Sequence, residues 1–285
     1  MAGAHHSKPR DWALALPLAA FFALFFVAPL GLLVAISFET ERQMTGTLGL
    51  AQYAAFLTDG LNLAVLRDTL LVGAKATLLC LLFGYPLAWL STRVAARWQA
   101  VLIFLVVLPI VTSVVVRTFA WIVILGRHGI VNEAILALGL SAQPLKLLFS
   151  ETGVVIVLAQ VQMPLMVLPL ITTLQRIDPN LESASQALGA GAWRTFFKVT
   201  LPLSLPGIIA GTILTYTACV TAFVTQSLIG GSRLLFMPMM IFQQAMDLQN
   251  WPFAAAVSVI FMISVLLIVA MLVALSRSRA ARLYA

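Results

Sequence analysis

The sequence predicts an all-α integral membrane protein of six transmembrane helices, and three observations carry that prediction. Of 285 residues, 61% are hydrophobic and 9% are Asp, Glu, Lys or Arg, against about 45–50% and about 25% in a soluble domain. A soluble chain of this composition has too little polar surface to cover itself. Apolar runs at 12–38, 66–92, 100–125, 153–174, 205–228 and 254–276 each reach the ~20 residues that cross ~30 Å of hydrocarbon. None alternates polar and apolar residues as barrel strands do. Backbone groups in lipid must pair internally, so the spans are helices.

The elements follow in order. A tail of residues 1–11 precedes the first run, Trp12 to Phe38, which is longer than a signal-peptide core and has no small-residue cleavage site after it; it is expected to stay as span one. The connection 39–65 holds a short helix at Leu50 to Leu57. Span two carries Lys75 near one end, where a lysine can snorkel, and Cys80, which with Cys219 of span five is best placed as a small buried hydrophobe. Span three carries Arg117, too costly to face lipid. The connection 126–152 contains Gly129 to Gly139, a short helix closed by its last glycine. Span four leads into the loop 175–204, and span five into span six and a tail of residues 277–285. The domain plan is therefore one membrane domain, 12–276, between two short tails.

With both termini cytoplasmic, that side holds Lys8, Arg10, Arg93, Arg97, Arg176, Arg194, Lys198, Arg277, Arg279 and Arg282, against Arg42, Arg67, Arg127, Lys146 and Arg233 outside. Ten against five favours termini inside. The net charge of +7 is thus a topology signal in a chain embedded in the lipid bilayer, and nucleic-acid binding is set aside.

The loop 175–204 is the most informative part. Asp178-Pro179 starts a helix: the carboxylate accepts from first-turn N–H groups, and Pro sits where its missing N–H is not needed. Gly189 stops that helix. Leu181, Ala184 and Leu188 form a narrow apolar stripe. A second segment, Ala192 to Val199, bears Trp193, Phe196 and Phe197, and Pro202 and Pro206 are expected to break the chain before span five. From periodicity alone, this helix pair either docks a partner or lies on lipid.

Glu182-Ser183-Ala184-Ser185-Gln186-Ala187-Leu188-Gly189, then nine residues, then Val199-Thr200-Leu201-Pro202, resembles the loop signature of binding-protein-dependent ABC importer permeases. That pattern is E-A-A, three residues, G, nine residues, I-x-L-P. Counting back from Gly189 places Ser183, Ala184 and Ser185 on the acidic triplet, with Glu182 one place early. Gly84 to Trp89, the Gly129 to Gly139 segment and Asn250 to Ala255 are similar to the spermidine and putrescine branch, in particular its first permease subunit. Opine, aminoethylphosphonate and iron permeases share much of this pattern.

The resemblance implies a type I ABC importer permease fold in a bacterial inner membrane, with a cytoplasmic coupling helix between spans four and five. It assigns ATPase coupling to Glu182, Ser183, Ala184, Ser185, Ala187, Leu188, Gly189 and Ala190. It implies as partners a second homologous permease, a cytoplasmic ATPase homodimer and a periplasmic or extracellular substrate-binding protein. The chain has no Gly-Lys pair and so no G-x-x-x-x-G-K-S/T phosphate loop. It is therefore expected to be non-catalytic and to hold no cofactor or metal, ATP and Mg being bound by the ATPase.

Within the spans, the candidate pathway residues are Arg117, Trp121, Tyr216, Thr217, Thr221, Thr225 and Gln226. Arg117 is better suited to backbone carbonyls or a partner's acid than to cargo. The span-five hydroxyls suit a passage and interhelical hydrogen bonding equally. Apart from Asp68 at the start of span two, no Asp or Glu lies within a span, so a cationic cargo would be held by aromatic faces such as Trp121 and Tyr216, with charge recognition left to partners. A membrane enzyme lacks support: His5 and His6 are in the tail, His128 is in a connection, and no H-E-x-x-H occurs. A secondary transporter would show an intramembrane carboxylate or paired broken helices, and neither is legible in the sequence.

Overall fold

The computed structural model describes residues 9–42 and 46–283. The tail residues 1–8, with His5, His6 and Lys8, and residues 284–285 lie outside the described residues. The elements are α1 (Pro9–Phe22), a π turn (Ala23–Val27), α2 (Ala28–Ser37), α3 (Ala51–Thr58), α4 (Gly60–Ser91), α5 (Ala96–Val111), α6 (Val114–Leu125), α7 (Ile130–Ala137) and α8 (Glu151–Leu174). They continue with α9 (Pro179–Ala187), α10 (Ala192–Thr195), a π turn (Phe196–Thr200), α11 (Leu201–Leu203), α12 (Leu205–Val220), α13 (Phe223–Gly230), α14 (Met237–Phe242) and α15 (Trp251–Leu283). No strand occurs among the described residues; the one β-bridge joins Glu39 and Leu48.

By length and composition, five helical stretches can cross a membrane: Leu16–Ser37, Gly60–Ser91, Val114–Ala137, Glu151–Leu174 and Trp251–Ala274. A sixth is reached when Ala192–Leu203 and Leu205–Val220, bent by 61° relative to each other, count as one span. Several predicted bounds shift. Span two begins at Gly60 rather than 66, which shortens the connection before it. The chain does break before span five, between Pro202 and Pro206, with Pro206 in the first turn of α12 where its missing N–H is not needed. The bend falls at Ser204.

Two spans predicted as continuous are interrupted. Span three divides at Thr112 and Ser113, whose ψ angles of 147° and 130° are extended. Span five divides after Val220, at Thr221 and Ala222. Paired broken helices, which the sequence does not reveal, are therefore present. Local sequence explains little of this: Pro86, Pro164 and Pro169 all lie inside unbroken helices. The carbonyls freed at the second break are instead taken by Gln226, whose Nε2 donates to Cys219 at 2.9 Å and Val220 at 3.2 Å. Thr217 and Thr221 also bond back to the carbonyls of Ile213 and Thr217, an arrangement that competes with helix continuity.

The chain divides into two compact units, 1–60 with 241–262, and 61–240 with 263–285. In the first, Ser37 shares a 2.6 Å hydrogen bond with the Tyr53 hydroxyl, and Phe56, fully buried, packs near Phe253 with ring centres 6.5 Å apart. Residues from Leu16 to Val27 are exposed, as a lipid-facing helix requires. Phe21 and Phe25, and Phe22 and Phe26, stack one turn apart.

The second unit holds the core. Val72, Leu125, Val154, Leu158, Cys219 and Ile229 belong to one buried cluster toward the Glu151 end of α8. Cys80, Tyr85, Val106, Met166, Leu170 and Leu174 belong to another toward its Leu174 end. Both cysteines are buried, as expected. α4 and α8 contribute to both clusters, and glycine lets the helices approach: a Cβ on Gly211 would meet Met166 Sδ at 2.9 Å, and one on Gly84 would meet Val167 Cγ2 at 3.1 Å.

Candidate functional site

The loop between α8 and α12 is built from its caps upward. Asp178 accepts from Asn180 N at 2.9 Å with Pro179 in the first turn of α9. Gly189, at φ +83°, ends the helix in the left-handed region that glycine favours. The Leu181, Ala184 and Leu188 stripe points away from the chain, Leu188 being 90% exposed. Trp193 and Phe197 are also exposed, whereas Thr195 is buried and shares a 3.1 Å hydrogen bond with Ser185.

The opposite side of α9 is fastened to its own chain. Arg93 Nη2 donates to both Glu182 oxygens at 2.7 and 2.5 Å, and Thr200 Oγ1 donates at 2.7 Å. Burial alone would raise the Glu182 pKa, but the hydrogen bonds from Thr200 and Arg93 and the guanidinium charge outweigh it. They hold the carboxyl below its ordinary range. The Arg93 guanidinium lies 4.4 Å from the Trp89 ring centre, and the Tyr85 hydroxyl lies 3.0 Å from Ser204 Oγ at the bend.

Of the residues predicted for coupling, Ser183, Ala184, Ala187, Leu188 and Gly189 are exposed, while Glu182, Ser185 and Ala190 are half-buried. Sequence reasoning missed Arg93, Trp89, Tyr85 and Thr200. The available signal was weak: Arg93 and Glu182 fall on the same side of the predicted membrane.

The predicted pathway residues scatter. Tyr216, Thr225 and Gln226 are buried in the chain's own packing, Trp121, Thr217 and Arg117 are half-buried, and Thr221 is exposed. Trp121 Nε1 donates to Gln160 at 3.0 Å. Thr118 and Thr225 lie 3.5 Å apart across α6 and α13, so the half-helices that follow the two breaks pack on each other. Arg117 Nη2 reaches the Thr112 carbonyl at 3.3 Å, while its Nε and Nη1 are buried with no hydrogen-bond partner among the described residues. Lys75 is paired with Glu151 of α8. Asn132, fully buried, fixes the segment before α8 by donating to Gly126 and Leu145 carbonyls and accepting from Leu145 N.

Comparison with known proteins bears on this arrangement. Residues 80–282 match the family described as binding-protein-dependent transport system inner membrane component. The chain is 36% identical over 195 residues, 68% of each protein, to the spermidine/putrescine transport system permease protein of Haemophilus influenzae. It is 39% identical over 168 residues, 59% of this chain and 71% of the other, to the molybdenum transport system permease protein of Escherichia coli. Its fold matches, with a TM-score of 0.77 at 18% identity over 94% of this chain and 95% of the other, a chain from the crystal structure of a bacterial alginate ABC transporter in complex with an alginate pentasaccharide-bound periplasmic protein.

Proposed function

The chain belongs to the family of binding-protein-dependent transport system inner membrane components, and from that premise we propose that it is the permease subunit of an ATP-driven importer whose cargo is a polyamine. It forms half of the passage, beside a second homologous permease. A cytoplasmic ATPase homodimer binds ATP and Mg, and an external binding protein delivers spermidine or putrescine. The chain sits in a bacterial inner membrane with both termini in the cytoplasm.

One observation carries the mechanism: α9 is fastened along its Glu182 side and open along Leu181, Ala184 and Leu188. A helix held this way offers an apolar face to an ATPase cleft and passes on the displacement it receives. The similarity to the spermidine/putrescine permease supports the cargo. The carboxylates within the spans, Asp68, Glu133 and Glu151, lie in their end portions, with Asp68 paired to Arg67 and Glu151 to Lys75, so charge selection for an amine falls to the binding protein and the partner permease.

A second cargo reading has its own support. Arg117 lies in the first turn of α6, and the N-termini of α6 and α13 follow the two breaks, which is favourable to an anion. The molybdenum permease is a relative of comparable identity. The test is to purify the chain with the products of neighbouring genes and measure radiolabelled spermidine and putrescine uptake in vesicles, with molybdate, opine, aminoethylphosphonate and ferric competitors. Amine uptake is expected, together with co-elution of an ATPase, a second permease and a binding protein. Uptake of an anionic or ferric cargo with neither amine would overturn the polyamine assignment. On topology, Ser141 should be labelled from outside intact spheroplasts; its protection would reverse the orientation.

A further inference from the structure

We infer that Arg93 is a positioning residue through which displacement of α9 enters α4, a route additional to the chain links into α8 and α12; the inference rests on the docking role proposed above. The covalent links run through turns rather than continuous helix. α9 joins α8 through the turn at 175–178 and joins α10 through 188–191, where Gly189 sits at φ +83°. Beyond that, the chain bends by 61° at Ser204 before α12, which is itself interrupted after Val220. Helical continuity is therefore interrupted on each covalent route.

α4 offers a stiffer path. Tyr85 and Trp89 lie one turn apart near the Ser91 end of the helix, and Arg93 follows in the turn just beyond it, its N–H donating to the Leu90 carbonyl at 3.0 Å and its guanidinium lying on the Trp89 ring. Arg93 engages α9, while Trp89 and Tyr85 both meet Phe196 and Tyr85 also reaches the bend. Arg93 holds the Glu182 carboxylate at 2.7 and 2.5 Å. Trp89 carries the Arg93 guanidinium on its face and meets Phe196 edge-on at 5.9 Å. Tyr85 meets Phe196 edge-on at 5.8 Å and bonds Ser204 at the bend. Glu182 also accepts from Thr200, so one carboxylate ties α9, the segment before α12 and the turn that ends α4 together. From there α4 runs unbroken for 32 residues through both buried clusters. A displacement of α9 that kept these contacts would therefore move a continuous helix.

The test uses the whole importer in vesicles, comparing wild type with Arg93→Leu, Glu182→Gln and the double exchange Arg93→Glu/Glu182→Arg. Recovery of the assembled complex, ATP hydrolysis and cargo moved per ATP are measured together. Each single variant should assemble and hydrolyse ATP within about twofold of wild type while cargo per ATP falls about tenfold, and the exchange should restore about a third of it. A merely structural role would lower assembly, hydrolysis and uptake in step and would overturn the inference, as would unchanged cargo per ATP in both single variants. If the single variants fail to assemble, Arg93→Lys decides: it keeps the charge but cannot lie flat on Trp89. Reduced cargo per ATP then supports the inference and a wild-type value overturns it. Wild type without ATP-dependent uptake would sink the permease reading and the inference with it, whereas normal wild-type uptake beside normally coupled variants would sink the inference alone.

Discussion

The loop around α9 and the two span interruptions differ in how far their polar groups are paired. Around α9, Glu182 has Arg93 and Thr200, Ser185 has Thr195, and Ser204 has Tyr85. Near the breaks, Gln226 repairs two carbonyls yet its own Oε1 is buried without a partner among the described residues, as are Arg117 Nε and Nη1 and Thr215 Oγ1. Each such atom costs about 1–3 kcal/mol relative to a paired one. The loop is thus closely tied to its own chain, with Trp89 Nε1 the one buried atom beside it that lacks a partner among the described residues, while the other four such atoms lie near the breaks. Dense pairing lies where ATPase force is proposed to enter, and most of the unpaired atoms lie where two spans already lack helical continuity.

The largest expected effect strikes the densely paired side. Gly189→Pro cannot adopt φ +83°, and Glu182→Arg/Ala187→Glu sets two guanidinium groups against each other at the Arg93 contact and charges the exposed face. Both should abolish uptake while leaving the chain in the membrane, which quantitative membrane blotting beside uptake would show; normal uptake would break the contrast. Next is Tyr216→Ala. The ring is buried against the Gly73 position, so truncation should destabilise the purified chain by about 3–5 kcal/mol, read from denaturant unfolding in detergent. An effect on uptake alone would return Tyr216 to the passage. Gln226→Leu should cost about 1–3 kcal/mol in the same assay, because the Cys219 and Val220 carbonyls lose their donor. No loss would mean the break is repaired by other means.

The smallest effect is a pH response. Glu182 has a folded pKa below its unfolded value, so its contribution is fully present above about 4.3, the ordinary carboxylate value. It disappears only as pH falls through the lower folded value. The uptake ratio of wild type to Glu182→Gln should therefore stay flat from about pH 6 to 8. A ratio that falls within that window would show the Arg93 contact to be weaker than its geometry indicates.

What was legible in the sequence follows the same division. Asp178-Pro179, Gly189 and the Gly129 to Gly139 helix act through caps and backbone angles within a few residues, so they survive reading one residue at a time. Hydrophobic run length likewise gives the helical membrane class. The breaks were not legible because they fall at Thr112-Ser113 and Thr221-Ala222 rather than at a glycine or proline, and at the second a glutamine one turn onward supplies the donors. The motif places Glu182 in the coupling loop without its partner, because Arg93 is 89 residues away. The six-residue α14 is too short for a helical period to show. Tyr216 and Gln226 carry polar groups on a span, and only packing reveals that both are enclosed by their own chain.

The central claim is that this chain works as an ATP-driven, receptor-fed permease. Its most direct test is uptake of radiolabelled spermidine into vesicles holding the chain with its co-eluting permease and ATPase. ATP is supplied on the ATPase side, and the binding protein is added or withheld. The account predicts uptake only when ATP and binding protein are both present, and none with a non-hydrolysable ATP analogue. Accumulation by the chain alone, driven by an ion gradient and indifferent to ATP, would contradict it.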